Sequence, residues 1–301
     1  MDDNVYEKYL RAGKIASEVR DYGAGLIKPG VSLLKVAESV ETRILEKGAG
    51  IAFPVNISLN EIAAHYTPIF DDKTVFKKGD VVKLDVGVHI DGYIADTAVT
   101  VEIETNNYND MIKASSDALE FAIDMMKPGV HLGLVGKKIE ETIKSYGYKP
   151  VDNLSGHSLE CYNLHSGLEV PNVSAAMQNV KTKEGDVLAI EPFATNGRGH
   201  IISGKGSNIY LCKNSVGSRF IREERSKIMF KKLKSEFKTL PFAQRWCKKY
   251  FPNSADMVLR RLSFLDVLKH YPQLVEQNNS IVTQKEHTVV LKDDGCEVTT
   301  L

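Results

Sequence analysis

The sequence lacks several features that would point to other classes of protein. No apolar run approaches the ~18 residues that a membrane span needs, and the chain does not open with a basic segment followed by an apolar one. We therefore expect a cytoplasmic protein with no membrane partner. Its 4 cysteines include no CxxC pair that would indicate a zinc site, and they are too sparse for a disulfide framework.

Neither sign of charge is in excess. The 39 Lys and Arg residues balance 39 Asp and Glu residues, which argues against a protein whose whole surface binds nucleic acid. Three catalytic motifs are also absent: the HExxH helix of zinc peptidases, the GxSxG elbow of serine hydrolases and the GxxxxGK[ST] phosphate loop. Any chemistry must come from residues dispersed along the chain.

What the sequence does contain is a repeat. The tetrapeptide KPGV at 28–31 recurs 99 residues later at 127–130. Each copy follows one helical pattern of apolar residues and precedes another. Further on, 77–81 and 183–187 are polar turns that lead into β-branched runs. The 301 residues suffice for about two folding units of ~150, and the repeat predicts two helix-helix-strand halves.

Each of the two strand-like runs reaches an acidic residue. The first continues to Asp85 and the second to Glu191, at equivalent positions in the two halves. Halves related by a pseudo-twofold axis would bring these carboxylates toward one shared cleft. Alternation places Asp85 on the face opposite the apolar residues. An Asp91-Gly92 turn then predicts a hairpin whose second strand carries Asp96 near Asp85.

A pair of carboxylates on neighbouring strands predicts either a metal site or a solvated face with ordinary surface acids. Their backbones would lie roughly 5 to 8 Å apart, so the charges repel unless a cation or a retained proton intervenes. Metal binding is favoured because further candidate ligands follow: His157, His165, Glu191 and Glu297. Several carboxylates with one imidazole suit a pair of divalent first-row ions. Such a pair activates water and polarises a carbonyl, which predicts hydrolysis.

The sequence closely resembles the methionine aminopeptidases over nearly its whole length, in particular the type 2 form found in archaea. That resemblance implies an α/β (α+β) fold, the duplicated pita-bread fold, with pseudo-twofold symmetry and a central antiparallel sheet. The stretches that carry it are FP at 53–54, SLN at 58–60, AHY at 64–66, LDVG at 84–87, ADT at 95–97, SGH at 155–157, NLH at 163–165, IEPF at 190–193, EHT at 286–288 and GCE at 295–297.

The resemblance implies a set of five metal ligands: Asp85, Asp96, His157, Glu191 and Glu297. Asp96 and Glu297 would bridge two divalent ions, which could be Mn, Fe, Co or Zn. The implied activity is hydrolytic removal of the initiator methionine from Met-Xaa termini of nascent proteins, with a preference for a small second residue.

The resemblance also implies roles in catalysis and substrate binding. Glu191 would handle the proton of the attacking water, and His165 would stabilise the oxyanion and contact the substrate. His65 would bind the substrate near the scissile peptide. Three apolar residues would line the methionine pocket, although core packing is an alternative role for them: Phe53, Leu164 and Phe193.

A helical insertion distinguishes the type 2 form, and residues 217–279, which include LPFAQRW at 240–246, fit that description. We therefore predict a catalytic domain of 1–216 and 280–301 with an inserted helical subdomain at 217–279. Between residues 219 and 249, eleven Lys or Arg residues accompany three Glu residues. This local basic face is either a solvated surface or a transient contact for ribosomal RNA.

Two alternatives share the fold. Prolidases and aminopeptidase P usually carry a large additional N-terminal domain, and none fits before Asp85. Non-catalytic relatives that bind ribosomes or RNA, such as the proliferation-associated proteins, lose metal ligands, whereas all five predicted ligands are present in this sequence. We expect a monomer because no heptad run or apolar surface stripe is visible.

Overall fold

The helices and strands of the computed structural model follow the predicted repeat. The structure describes residues 1–175, 180–213 and 221–301. Its helices are α1 (Asp3–Leu26), α2 (Leu33–Glu46), α3 (Asn109–Asp124), α4 (Leu132–Ser145), α5 (Glu224–Phe237), α6 (Gln244–Lys248) and α7 (Ala255–Phe264). Its strands are β1 (Gly50–Leu59), β2 (Ile62–Ala64), β3 (Val81–Ile90), β4 (Tyr93–Glu102), β5 (Lys149–Pro150), β6 (Ser155–Ser158), β7 (Glu169–Pro171), β8 (Val187–Ile190), β9 (Phe193–Thr195), β10 (Ile201–Cys212), β11 (Phe242–Ala243), β12 (Leu268–Glu276), β13 (Val282–Gln284), β14 (His287–Lys292) and β15 (Gly295–Val298).

The first half consists of α1, α2 and the antiparallel sheet β1-β3-β4. Asp2 caps α1, since its side chain accepts from the backbone N–H groups of Asn4 and Val5. Ser32 caps α2 in the same way through Lys35. The apolar faces of both helices pack against β1 and β3 in one buried core, which fixes the orientation of the strand that carries Asp85.

The second half repeats this arrangement with α3, α4 and the sheet β15-β14-β8-β6-β7. The two KPGV segments adopt the same turn, with φ of 80° at Gly30 and 86° at Gly129, values that glycine adopts without steric cost. Each of these glycines donates its N–H to a carbonyl of the segment that leads to the next strand, Phe76 in one half and Thr182 in the other. The duplication extends to individual hydrogen bonds.

The two halves meet at β4, which runs beside the segment that precedes β14. Ala98 and Glu286 exchange both backbone hydrogen bonds, with N–O distances of 3.4 and 3.2 Å. The contact continues where the Thr100 hydroxyl donates to the Gln284 carbonyl at 2.7 Å and accepts from its N–H at 2.8 Å. The sheets are thereby joined along one antiparallel seam.

Helices α5, α6 and α7 form a third, separate apolar core with part of β10. Strand β12 lies inside the predicted 217–279 insert, yet it pairs with β10 and with β2 of the first half. The helical layer proper therefore ends before β12. The predicted boundary at residue 217 and the basic residue Arg219 lie outside the described residues. Among the described ranges, no helix is both long enough and apolar enough to cross a membrane.

Candidate metal centre

The first pair of acidic residues lies on the predicted hairpin. Asp96 of β4 is paired with Gly87 of β3, so that it sits one diagonal step from Asp85 on the same face. The turn at Asp91-Gly92 has positive φ at both residues, 51° and 94°, as a two-residue hairpin of this type requires. A local turn therefore sets the spacing of these two carboxylates.

The second pair comes from strands that are distant in sequence. Glu191 follows directly after β8, and Glu286 directly precedes β14, the strand paired with β8 in the register His287–Ile190. The seam between Ala98 and Glu286 places Glu286 one diagonal step from Asp96. Ligand atoms of Asp96, Glu286 and His157 all lie within 4.8 Å of one another. Four carboxylates thus converge from both halves.

The structure does not bring the predicted ligand Glu297 to this cluster. Glu297 lies on β15 and pairs with Val290 of β14, so β14 separates it from the strand that leads to Glu191. Its carboxylate accepts from the Tyr6 hydroxyl and the Lys292 ammonium group instead.

Glu286, which the sequence analysis did not select, occupies the cleft. The duplication indicates only that the partner of Glu191 should stand on an adjacent strand, as Asp96 does for Asp85, and does not say which of the late strands that is.

The three predicted histidines all line the same cleft. His157 on β6 places its Nε2 3.7 Å from Asp96 Oδ2 and 3.9 Å from Glu191 Oε1. The ring of His165 lies 4.2 Å from that of His157. His65 reaches the cleft from the loop after β2. The three histidines named by the sequence analysis thus stand together in one cleft.

Two of the three predicted apolar residues, Phe53 and Leu164, line the cleft. Phe193 does not: it packs in a buried cluster with Ala63 and Val151. The cause is a change of sheet, because β8 ends before Glu191 and Phe193 begins β9, which pairs with β13 and β5. The cleft also contains residues that the sequence analysis did not select: Asn56, Ala64, Ile209, Pro241 and Tyr271.

Burial makes the four carboxylates strongly perturbed acids. It raises the pKa of Asp85 to about 7. It also raises the pKa values of Asp96, Glu191 and Glu286 well above their ordinary range, and the charges of neighbouring carboxylates add to that effect. Asp85 Oδ1 and Asp96 Oδ1 are buried without a hydrogen-bond partner. Such a cluster needs compensating positive charge or protons.

The histidines do not supply that charge. Burial lowers the pKa of His157 to about 3, and the nearby His165 lowers it further. Burial likewise lowers the pKa of His65 and of His165 to about 4. All three are neutral at pH 7, and a neutral imidazole is a metal ligand rather than a counter-ion. Oxygen and nitrogen donors with buried, unpartnered carboxylate oxygens fit divalent first-row metal ions.

Comparison with known proteins agrees with this chemistry. The model of Metallopeptidase family M24 matches residues 7–222. The methionine aminopeptidase of Methanocaldococcus jannaschii is 48% identical over 300 residues, which cover 100% of both chains. That of Pyrococcus abyssi is 47% identical over 295 residues, 98% of this chain and 99% of the relative. The solved structure of a methionine aminopeptidase from Thermotoga maritima, 23% identical, covers 100% of this chain and 98% of its own with a TM-score of 0.72, which confirms the predicted pita-bread fold.

Proposed function

Since the chain belongs to the methionine aminopeptidases of Metallopeptidase family M24, we propose that it hydrolyses the first peptide bond of nascent proteins that begin with methionine. The observation that carries this proposal is the buried cluster of four carboxylates and one neutral imidazole beside a partly apolar cleft. The cluster suits metal-assisted hydrolysis, and the apolar part of the cleft suits the methionine side chain.

Five residues would hold the metal: Asp85, Asp96, His157, Glu191 and Glu286. Two ions would satisfy four carboxylates better than one, because each divalent ion offsets two negative charges. Mn, Fe, Co and Zn all accept this donor set. When bound, the metal would polarise the scissile carbonyl and lower the pKa of the attacking water.

Glu191 is the residue that we propose moves the proton. Its carboxylate stands in the cleft, where burial and the charge of Asp85 raise its pKa. A base with a raised pKa takes a proton from the attacking water more readily and can then donate it to the leaving amine. Gln284 orients the group, since its Nε2 donates to Glu191 Oε2 at 3.2 Å.

His165 and His65 would act on the substrate as neutral hydrogen-bond donors. Burial and the nearby Lys269 lower the pKa of His165 to about 4, so its imidazole keeps one N–H at pH 7. We propose that His165 donates this N–H to the developing oxyanion and that His65 contacts the substrate near the scissile bond. Because both rings line the narrow cleft, a second substrate residue with a small side chain should be accepted best.

The helical layer supports assignment to the type 2 form. It consists of α5, α6 and α7 and stands between β10 and β12, before the last strands. We further propose a cytoplasmic monomer, in keeping with a substrate that emerges from the ribosome.

Contact of the basic 219–249 segment with ribosomal RNA is a second proposal, and it rests on that segment's charge. Part of this positive charge is already neutralised within the protein. Lys232 forms an ion pair with Glu236, and Lys248 forms one with Asp256. Arg245 is buried against Glu41. Cosedimentation with ribosomes at low and high salt tests it. Absence of binding at low salt would remove the proposal.

The decisive experiment measures methionine release from Met-Gly-Met-Met and Met-Leu-Met-Met. Metal-stripped protein is refilled separately with Mn, Fe, Co or Zn, and Asp96→Ala serves as the ligand-deficient control. We expect metal-dependent cleavage of the first peptide, weak cleavage of the second and no activity in Asp96→Ala. No turnover with any metal would instead favour a non-catalytic binding protein with the same fold.

A further inference from the structure

His65 reaches the cleft from an uncommon backbone conformation. Its φ is 61°, in the left-handed region that side chains with a Cβ atom seldom adopt. A strained residue of this kind persists only where the surrounding structure holds it, and such positions cluster at functional sites. The segment that follows His65 should therefore be strongly anchored.

The anchor is Thr67, which is fully buried. Its N–H donates to the Ser207 carbonyl at 3.2 Å, and its own carbonyl accepts from Asn208 Nδ2 at 2.8 Å. Its hydroxyl donates to the Val55 carbonyl at 2.7 Å and accepts from Arg245 Nη1 at 2.7 Å. Every polar group of Thr67 is thus used, and one of its partners comes from the helical layer.

Arg245 extends from α6 into the catalytic domain, and its side chain is only 2% exposed. Besides the Thr67 hydroxyl, its Nη1 contacts the Pro68 carbonyl at 3.0 Å. Its Nη2 forms an ion pair with Glu41 of α2. Glu41 is fixed in turn, because Trp246 Nε1 donates to its Oε2 at 2.9 Å.

The same short motif contacts the cleft and its loop at two further points. Gln244 Oε1 accepts from the Phe70 N–H at 3.2 Å, so consecutive residues of α6 hold both Thr67 and Phe70. Pro241, four residues before Arg245, lines the cleft itself. The LPFAQRW segment therefore contacts both the cleft, through Pro241, and the loop after β2, through Gln244 and Arg245.

We propose that Arg245 is a positioning residue: it holds the loop after β2 so that His65 keeps its strained conformation in the substrate cleft. The inference rests on the proposed function, because it assumes that His65 contacts the substrate. It gives the helical layer a role within the catalytic site. A buried arginine is a costly way to stabilise a fold, since apolar residues of similar volume often do so at least as well. The directional contacts of its guanidinium group account for its use here.

The test compares Thr67→Val, Thr67→Ser and Arg245→Met. Valine has nearly the shape of threonine but can neither accept from Arg245 nor donate to the Val55 carbonyl, whereas serine keeps the hydroxyl and both contacts. Of these two contacts, Arg245→Met removes the arginine contact alone. We expect Thr67→Val and Arg245→Met to lower kcat/KM roughly 10- to 100-fold, because small misplacements of a catalytic contact have effects of this size. The loss should divide between kcat and KM as it does for His65→Ala. Thr67→Ser should stay within about threefold of the unaltered protein.

A double-mutant cycle separates positioning from general destabilisation. In a His65→Ala background, Thr67→Val should cause less than about a twofold further loss, because there is no longer a ring to misplace. Leu233→Ala is the matched control for stability, since Leu233 is buried in the core of the helical layer. It should lower Tm while leaving kcat/KM nearly unchanged. Equal losses in both backgrounds would overturn the proposal.

Hydrogen exchange gives a readout that does not depend on turnover. In Arg245→Met and Thr67→Val, the backbone amides of residues 63–70 should exchange faster than in Leu233→Ala. Each variant is measured the same number of degrees below its own Tm. If the unaltered protein shows no turnover, the proposed function fails and exchange alone decides this inference. Unchanged protection of residues 63–70 would overturn it.

Discussion

The two halves of the duplicated domain bring their carboxylates into the metal centre by different routes. In the first half, Asp85 and Asp96 stand on one hairpin and are separated by a two-residue turn. In the second half, Glu191 and Glu286 are 95 residues apart in the chain and stand beside the paired strands β8 and β14, with the helical layer between them in sequence. The same geometry is thus reached once by local and once by long-range pairing.

This difference shows which part of the site depends on the rest of the fold. A hairpin forms with little loop entropy, whereas closing a loop of about 95 residues costs more and must be offset by tertiary contacts. The second half supplies such contacts at the seam: Thr288 Oγ1 accepts from the Asp96 N–H and donates to its carbonyl, both at 2.8 Å. The second half is therefore held at the metal centre by hydrogen bonds to the hairpin of the first half.

The largest expected effect tests whether Glu286 is the true counterpart of Asp96. We predict that Glu286→Gln lowers kcat/KM by roughly 10²- to 10³-fold, because weakened metal binding removes several kcal/mol of transition-state stabilisation. Methionine release and metal content measure this. Glu297→Gln is the matched control and should stay within about twofold. A severe loss in Glu297→Gln with normal activity in Glu286→Gln would reverse the assignment.

A smaller effect tests the local half through its turn. Gly92 has a φ of 94°, and a Cβ atom there would lie 2.3 Å from the ring of Tyr162. We predict that Gly92→Ala lowers the free energy of unfolding by about 1–3 kcal/mol, measured by urea denaturation. Gly25→Ala is the control, because Gly25 lies in α1 with open space around it. It should be neutral or stabilise by up to about 1 kcal/mol.

The smallest effect concerns pH and the metal-free protein. Burial raises the pKa of Asp85 to about 7 in the folded state, while its unfolded value is about 4. Between these values the folded state binds a proton that the unfolded state has released, so this group's contribution to stability falls as pH rises from about 4 to 7. Asp85→Asn removes that titration. We predict that its Tm exceeds that of the unaltered metal-free protein by a few degrees at pH 8.

Calorimetry across this pH range should show the Tm gap closing toward pH 4. Addition of saturating metal should reverse its sign, because the unaltered protein then gains more binding energy than the variant. A gap that does not change with pH would contradict the prediction.

The same contrast explains what the sequence could reveal. The repeat predicted the duplicated fold, and the Asp-Gly turn placed Asp96 near Asp85, because both signals are local. Glu286 directly precedes β14 and Glu297 lies on β15, the next strand, so only the strand order shows which of the two stands beside Glu191. Long-range pairing is not encoded in a local pattern, so the choice between them required the structure.

Two other features were beyond sequence reasoning for related reasons. Phe193 follows Glu191 closely, but the chain changes sheets between them. Ile209 and Tyr271 enter the cleft because β12 returns from the helical layer to pair with β10. Each of these positions is set by packing between distant segments, which propensity does not describe.

The position of Glu286 so late in the chain also governs when the metal centre can form during synthesis. At about 5–20 residues per second, Glu191 leaves the peptidyl transferase centre roughly 5 to 20 s before Glu286. During this interval β8 has no β14 beside it, and three carboxylates have been made without the fourth. The young polypeptide therefore cannot acquire its complete metal site before Glu286 and β14 have been made, however quickly the first hairpin folds.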